Sequence, residues 1–236
     1  MSGLKSLIKE IPFIGQLVRR VYRRRRNPPN RFTDSRQYWI DRYATGGNSG
    51  DGSYGKLSKF KAEFLNEFVR RNHIKSIIEF GCGDGNQLKL AEYPDYIGFD
   101  VSADAIANCR MSTFGEGAKR FSLLQDYTAE KALLALSLDV IFHLVEEDVF
   151  ADYMERLFEA AGEFVIIYSS NFDQEPETGS AHVRHRKFSD WIETHKPHWH
   201  LCKHIPNRYP YAGDNQAGSL SDFHVYAKDP EITPRC

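Results

Sequence analysis

Apolar positions change period several times along the chain, and each change marks a part of it. Near the start, Leu4, Leu7, Ile8, Ile11, Ile14, Leu17, Val18, Val21 and Tyr22 recur at three- and four-residue spacing. That spacing predicts an amphipathic helix, divided by Pro12 and Gly15 and stopped by "NPPN". "DSRQYWIDRY" predicts a further helix start, and the glycine-rich "ATGGNSGDGSYG" follows it. "KLSKFKAEFLNEFVRRN" then places Leu57, Phe60, Phe64, Leu65, Phe68 and Val69 on one helical face. From Ile74 the pattern shifts to short continuous apolar runs with helical stretches between them. "IKSIIEF", "DYIGFD", "RFSLLQ", "LDVIFHL" and "EFVIIYSS" are the strand candidates. Continuous runs of this length suit strands buried on both faces, so the alternation predicts an α/β domain with a mostly parallel sheet. After Trp191, "WHLCKHI" and "SDFHVYAK" predict two more strands without a strong helix between them.

A chain of 236 residues suffices for one such domain with a full core, and its ordinary apolar and charged fractions exclude general disorder. The expected organisation is a basic amphipathic arm over 1–30 and a single domain over 31–236. Net charge is −1, but residues 1–30 carry eight basic side chains and one acid, which leaves the remainder near −8. Arg19, Arg20 and Arg23 to Arg26 give the arm a cationic end. It suits an anionic membrane surface, with the apolar face down, and equally an arm packed on its own domain or a sister subunit. Nucleic acid is the weakest partner, because no aromatics interleave with the arginines. No apolar run approaches the ~20 residues that span a bilayer, and Lys5, Lys9 and Glu10 interrupt any secretory signal. Cys82, Cys109, Cys202 and Cys236 lack paired spacing, so they read as reduced thiols of a cytoplasmic protein without a metal site.

Candidate chemistry begins at "EFGCGDGNQL", residues 79–88. Gly81, Gly83 and Gly85 follow the apolar "SIIEF" and precede "NQLKLAEY", which reads as helical. Glycine there permits unusual backbone angles and lets a ligand touch bare main chain at the mouth of a doubly wound sheet. Asn86 stands where a dinucleotide fingerprint wants its third glycine. Asp100 ends the next strand, 21 residues after Glu79, where a carboxylate can accept both ribose hydroxyls of an adenosine. A cofactor with an adenosine and a positive charge, but no pyrophosphate, fits; S-adenosylmethionine is such a molecule.

With these motifs the chain resembles the class I S-adenosylmethionine-dependent methyltransferases over about Ile74 to Lys228. "IIEFGCGDG" looks like their first motif and "YIGFD" like their second-strand acid. "YWIDRYATGGNSGDGSYG", "IFHLVEEDVF" and "HVRHRKFSDW" extend the resemblance to a bacterial group linked to cell-surface polysaccharide assembly. The resemblance implies a Rossmann-like methyltransferase fold: a seven-stranded, mostly parallel sheet with one antiparallel strand. It also implies that Gly81, Cys82, Gly83 and Gly85 pass beneath the methionine moiety, with Glu79 near its ammonium group. Asp100 would take the ribose, Val101 or Ser102 the adenine face, and Gln125 and Asp126 the adenine edge. Asp126 reads equally well as a helix N-cap.

Methyl transfer from a sulfonium is an in-line displacement, so alignment supplies most of the catalysis and a base is needed only for a protonated nucleophile. His143, read as ending the fourth strand, is the candidate base; it reads alternatively as a loop-shaping histidine. Glu146, Glu147 and Asp148 suit the first turn of the next helix. His182, Arg184, His185, Arg186 and Lys187 form a basic cluster that suits a phosphate, carboxylate or uronic acid on the acceptor, or else a basic loop before a helix capped around Ser189. The histidines of "HKPHWHLCKH" read as structural. Tyr43, Ser53 and Tyr54 sit where a lid would meet the methionine carboxylate or the acceptor. The expected activity is O-methylation of a glycan, a glycan precursor or a related acidic small metabolite. A nicotinamide-dependent oxidoreductase and a non-catalytic membrane-associated scaffold are the alternatives.

Overall fold

The computed structural model describes residues 32–113, 117–174, 180–229 and 234–235. The arm predicted over 1–30 and Cys236 lie outside them.

Five runs become parallel strands; those inside the sheet are covered on both faces, whereas the edge strand Lys119–Leu123 is only partly buried. The five are β1 (Ser76–Phe80), β2 (Asp95–Asp100), β3 (Lys119–Leu123), β4 (Ala132–Leu138) and β5 (Ala161–Ser169). The two strands expected after Trp191 are β6 (His200–Ile205) and β7 (Asp222–Ala227). The sheet runs β3-β2-β1-β4-β5-β7-β6, with β7 antiparallel to both neighbours. Alternate residues of β1 go to opposite layers. Ile77 packs with Phe60, Leu65 and Phe68 of helix α2 (Gly55–Arg71), and with Ile106 of helix α3 (Ala103–Ser112). Ile78 faces Phe150, Met154 and Leu157 of helix α4 (Glu147–Ala160), in the same layer as Ile192 of helix α5 (Phe188–His195). Ahead of the sheet, helix α1 (Ser35–Ala44) is capped by Asp34, whose side chain accepts from Gln37 N. Ser35 ties α1 to the start of α4: its backbone N and Oγ donate to Glu146.

Two expectations need correction. The fourth strand is Ala132–Leu138, and not "LDVIFHL". Asp139 adopts φ 58°, which ends the strand, and Ile141–His143 form a 3-10 turn. The Ala/Leu run before it consists of good helix formers, yet its position between β1 and β5 makes it a strand. Nor does "NQLKLAEY" form an α-helix; only a 3-10 turn, Gln87–Leu90, joins β1 to β2. Pro94 biases Tyr93 to extended backbone immediately before β2, so the connection closes without a helix.

Strand order reverses between β1 and β4, which opens a crevice at their carboxyl ends. The glycine turn follows β1 and the Asp139–His143 segment follows β4, so topology alone brings both to that crevice.

Candidate active site

Gly81, Gly83 and Gly85 adopt φ of 86°, 61° and 75°, a region that side chains disfavour. They follow β1 around a cavity of about 280 Å³ that Glu79, Gly81, Cys82, Gly83, Asp100 and Val101 help to line. The space that a Cβ would need is taken by the protein itself. At Gly83 it would lie 2.3 Å from Ser49 Oγ, and at Gly81 it would lie 2.5 Å from a Val140 methyl. The bare backbone thus admits neighbouring loops as well as forming the cavity floor.

Asp100 is held in place by the turn: Oδ2 accepts from Gly83 N at 3.0 Å and Oδ1 from Ser102 N at 2.9 Å. Burial raises its pKa to about 6, against the pull of those backbone donors. Glu79, raised to about 7 chiefly by burial, accepts from the Tyr96 hydroxyl at 2.6 Å. Ser102 is fully buried and caps α3, accepting from Ala105 N.

The glycine-rich loop after α1 is fastened over the turn. Asp84 N donates to Ser49 Oγ, Ser49 N and the Tyr54 hydroxyl donate to Asp84 Oδ2, and Asn86 Nδ2 donates to Ser53 O. Tyr43 and Ser53 line the cavity, whereas Tyr54 spends its hydroxyl on Asp84 outside the lining.

Several lining residues escaped the sequence reading. Lys61 Nζ, on the buried face of α2, pairs with Asp139 Oδ2 at 2.8 Å, and Asp139 Oδ1 accepts from Ser221 Oγ at 2.9 Å. Gln87 donates its Nε2 to Ser58 O, which leaves Oε1 as a buried acceptor without a hydrogen-bond partner in the cavity wall. The lysine had left a signal: position 61 lies on the same face as Leu57 and Phe64, where only apolar residues are expected.

His143 stands beyond the strand end but within the crevice. Its Nδ1 lies 3.1 Å from His182 O. A carbonyl can only accept, so Nδ1 carries the hydrogen and Nε2 holds the lone pair. Burial lowers its pKa to about 4, so the ring is neutral near pH 7. Trp39 packs edge-on against it at 4.8 Å. His143, Trp39, Ser49 and Asp139 also line a second cavity beside the first.

Other expected residues are not brought together here. Gln125 and Asp126 are exposed outside the lining, where Leu124 replaces them. Gln125 Oε1 accepts from Arg36, and Asp126 lies in the 3-10 turn Leu124–Asp126 and caps no α-helix. Gly85 faces Cys109 and Ser112 of α3. The basic cluster divides. His182 and His185 line the second cavity, whereas Arg184 and Arg186 pair with Glu147 and donate to Val145 O. Arg186 is 7% exposed, so these arginines brace the β4–α4 loop. α5 begins at Phe188 after Lys187, and Asn171 Oδ1, in place of a serine cap, accepts from Ser189 N. Among the described residues no cluster could hold a metal ion.

No protein-family model and no curated protein matches the sequence. Solved structures share the fold. The methyltransferase domain of bacterial CtHen1-C is 18% identical, with 73% of this chain and 99% of that one covered at a TM-score of 0.56. Magnesium protoporphyrin IX methyltransferase from Synechocystis PCC 6803, solved with bound SAM, is 12% identical, with 85% and 100% covered at 0.59. The N-methyltransferase NodS from Bradyrhizobium japonicum WM9, in complex with S-adenosyl-L-homocysteine, is 15% identical, with 84% and 100% covered at 0.55. At these identities the likeness is one of architecture: the chain has the Rossmann-like methyltransferase fold.

Proposed function

We propose that the chain is a class I S-adenosylmethionine-dependent methyltransferase that methylates a hydroxyl of a glycan, a glycan precursor or a related small metabolite. One observation carries this reading. The cavity at the ends of β1 and β2 holds the buried carboxylates of Glu79 and Asp100, and it shares His143 with a second cavity. Methyltransferases of this fold, solved with SAM or S-adenosylhomocysteine, support the choice of cofactor.

The residues present fit that cofactor. Asp100 is an acceptor for ribose hydroxyls, and Val101 is a wall for the adenine. Gln87 Oε1, buried and unpartnered, suits an ammonium group, and the spare donors of Lys61 suit a carboxylate. When bound, the cofactor supplies a methyl group on an activated sulfonium. The protein's part is to align the acceptor, exclude water with the loop held by Asp84, and accept the hydroxyl proton at His143 Nε2. A well-matched base contributes on the order of 10²–10⁴-fold, and His143, lowered to about 4, belongs at the low end of that range.

A nicotinamide dinucleotide is disfavoured because its pyrophosphate rests on the N-terminus of a helix after β1, and here only the 3-10 turn Gln87–Leu90 stands there. Thermal unfolding with each cofactor separates the two readings. S-adenosylhomocysteine at 100 times its Kd should raise the midpoint by about 5–10 °C, while NAD⁺ leaves it unchanged. The opposite pattern would favour the oxidoreductase, and no shift with either would favour the scaffold.

For residues 1–30 the proposal remains attachment to an anionic membrane surface. Flotation with anionic vesicles that survives deletion of 1–30 would refute it.

A further inference from the structure

The second cavity, about 450 Å³, opens on the far side of His143. Its charge is not what the basic motif at 182–187 led us to expect. Among the described residues that line it, Arg42 is the one arginine or lysine, against Asp51 and Asp139. Arg42 is engaged: Nε donates to Asn48 O at 2.7 Å, Nη1 reaches the Tyr38 hydroxyl at 3.3 Å, and the guanidinium lies over Trp39. Burial holds His143 and His182 toward their neutral forms. Arg184 and Arg186 are committed to Glu147 and to loop carbonyls. Arg42 keeps its charge, since its partners are all neutral, but Asp51 matches it in the described lining and Lys61 matches Asp139. An entering phosphate or carboxylate would therefore find no net positive charge there.

The rest of the wall has another chemistry. Ser170, Ser180, Ser219 and Asn215 offer hydroxyl and amide groups, and Trp39 and Phe142 offer aromatic surface. Asp139 stands at the boundary with the donor cavity. Lys61 and Ser221 use one site on each of its oxygens, which leaves two of a carboxylate's roughly four acceptor sites. A fixed acceptor of this kind rewards a hydroxyl and penalises both an anion and a deoxygenated analogue.

Resting on the methyl-transfer reading, we propose that this cavity is the acceptor site and takes an uncharged, hydroxyl-bearing ring such as a neutral sugar unit. Asp139 accepts a hydrogen bond from a hydroxyl beside the one that reacts, and so selects against acidic acceptors.

The test is saturation-transfer NMR on the full chain, with and without S-adenosylhomocysteine. The probes are methyl α-glucopyranoside, methyl α-mannopyranoside and N-acetylglucosamine, set against glucuronate and glucose 6-phosphate. Neutral sugars should bind about tenfold or more tighter than the acidic ones. A bulky Ser180→Trp should abolish their signals while S-adenosylhomocysteine still binds. Asp139→Asn, which tolerates the positive φ, should weaken neutral sugars and narrow the preference. Lys61→Met/Asp139→Asn repeats the measurement without leaving a buried lysine unpaired. Acidic sugars binding as well as neutral ones, no neutral sugar binding, or an unchanged preference in both Asp139 variants would overturn the assignment. Loss of S-adenosylhomocysteine binding alone overturns the donor reading instead, because sugar preference is read without it as well.

Discussion

Asp100 shows how one side chain reports on the site. Its carboxyl is raised to about 6 by burial, and only the ionised form accepts two ribose hydroxyls. A raised folded pKa means that the charge is present above about pH 6 and lost below it. Affinity for S-adenosylhomocysteine should therefore tighten as pH rises from 5 to 7, by about tenfold per unit on the acid side. Asp100→Asn should bind weakly at every pH; calorimetric titration across that range checks both. His143 contributes little to this slope, since its pKa of about 4 keeps it neutral throughout. Glu79, raised to about 7 in the same cavity, ionises at the upper end of the range and accounts for any slope left in Asp100→Asn. Asp100, Glu79, Gly81 and Gly83 reach the cavity as read because each lies at a fixed offset from a strand end, whereas Gly85 turns toward α3. Lys61 and Asp139 were not legible, because their pairing joins residues 78 apart and exists only once α2 lies against the sheet. The arginines at 184 and 186 misled for a related reason. Their partner Glu147 sits on α4, and local sequence shows a cation without showing what neutralises it.

Among elements, the loop over the glycine turn is fastened to it by Ser49, Tyr54 and Asp84. Gly83 at φ 61° has Ser49 Oγ where a Cβ would go. Gly83→Ala should cost about 1–3 kcal/mol from backbone strain alone and also displace the loop. Urea unfolding should show the loss, and hydrogen exchange over 48–54 should quicken before global unfolding does. Unchanged exchange there would mean that the loop is not seated by the turn. Elements with strong periodicity were readable: α2 and β2 coincide with their sequence patterns to within a residue or so. β4 was misplaced because Ala and Leu favour helix locally, while burial between two strands decides the outcome. The helix expected after β1 failed because the span before Pro94 is short. Its absence removes the anion site of a dinucleotide fold.

The described residues form a sheet whose order reverses between β1 and β4, and the reversal places the two cavities side by side. Alternating strands and helices made that architecture legible. The second cavity was not, because its walls come from α1, the β4–α4 loop and loops near Ser180 and Ser219, far apart in sequence. On the proposed function, the first cavity accepts a sulfur-bearing adenosine through its sugar and its amino-acid end. The most direct measurement is calorimetric titration of the full chain with S-adenosylhomocysteine and with 5′-methylthioadenosine, repeated on Asp100→Ala and Gln87→Leu. We expect saturable one-to-one binding of S-adenosylhomocysteine, lost in Asp100→Ala. Gln87→Leu should weaken it about tenfold and leave the truncated nucleoside unaffected, as expected for loss of a hydrogen bond to a charged group. No heat of binding from the wild-type chain, or full affinity in Asp100→Ala, would contradict the account.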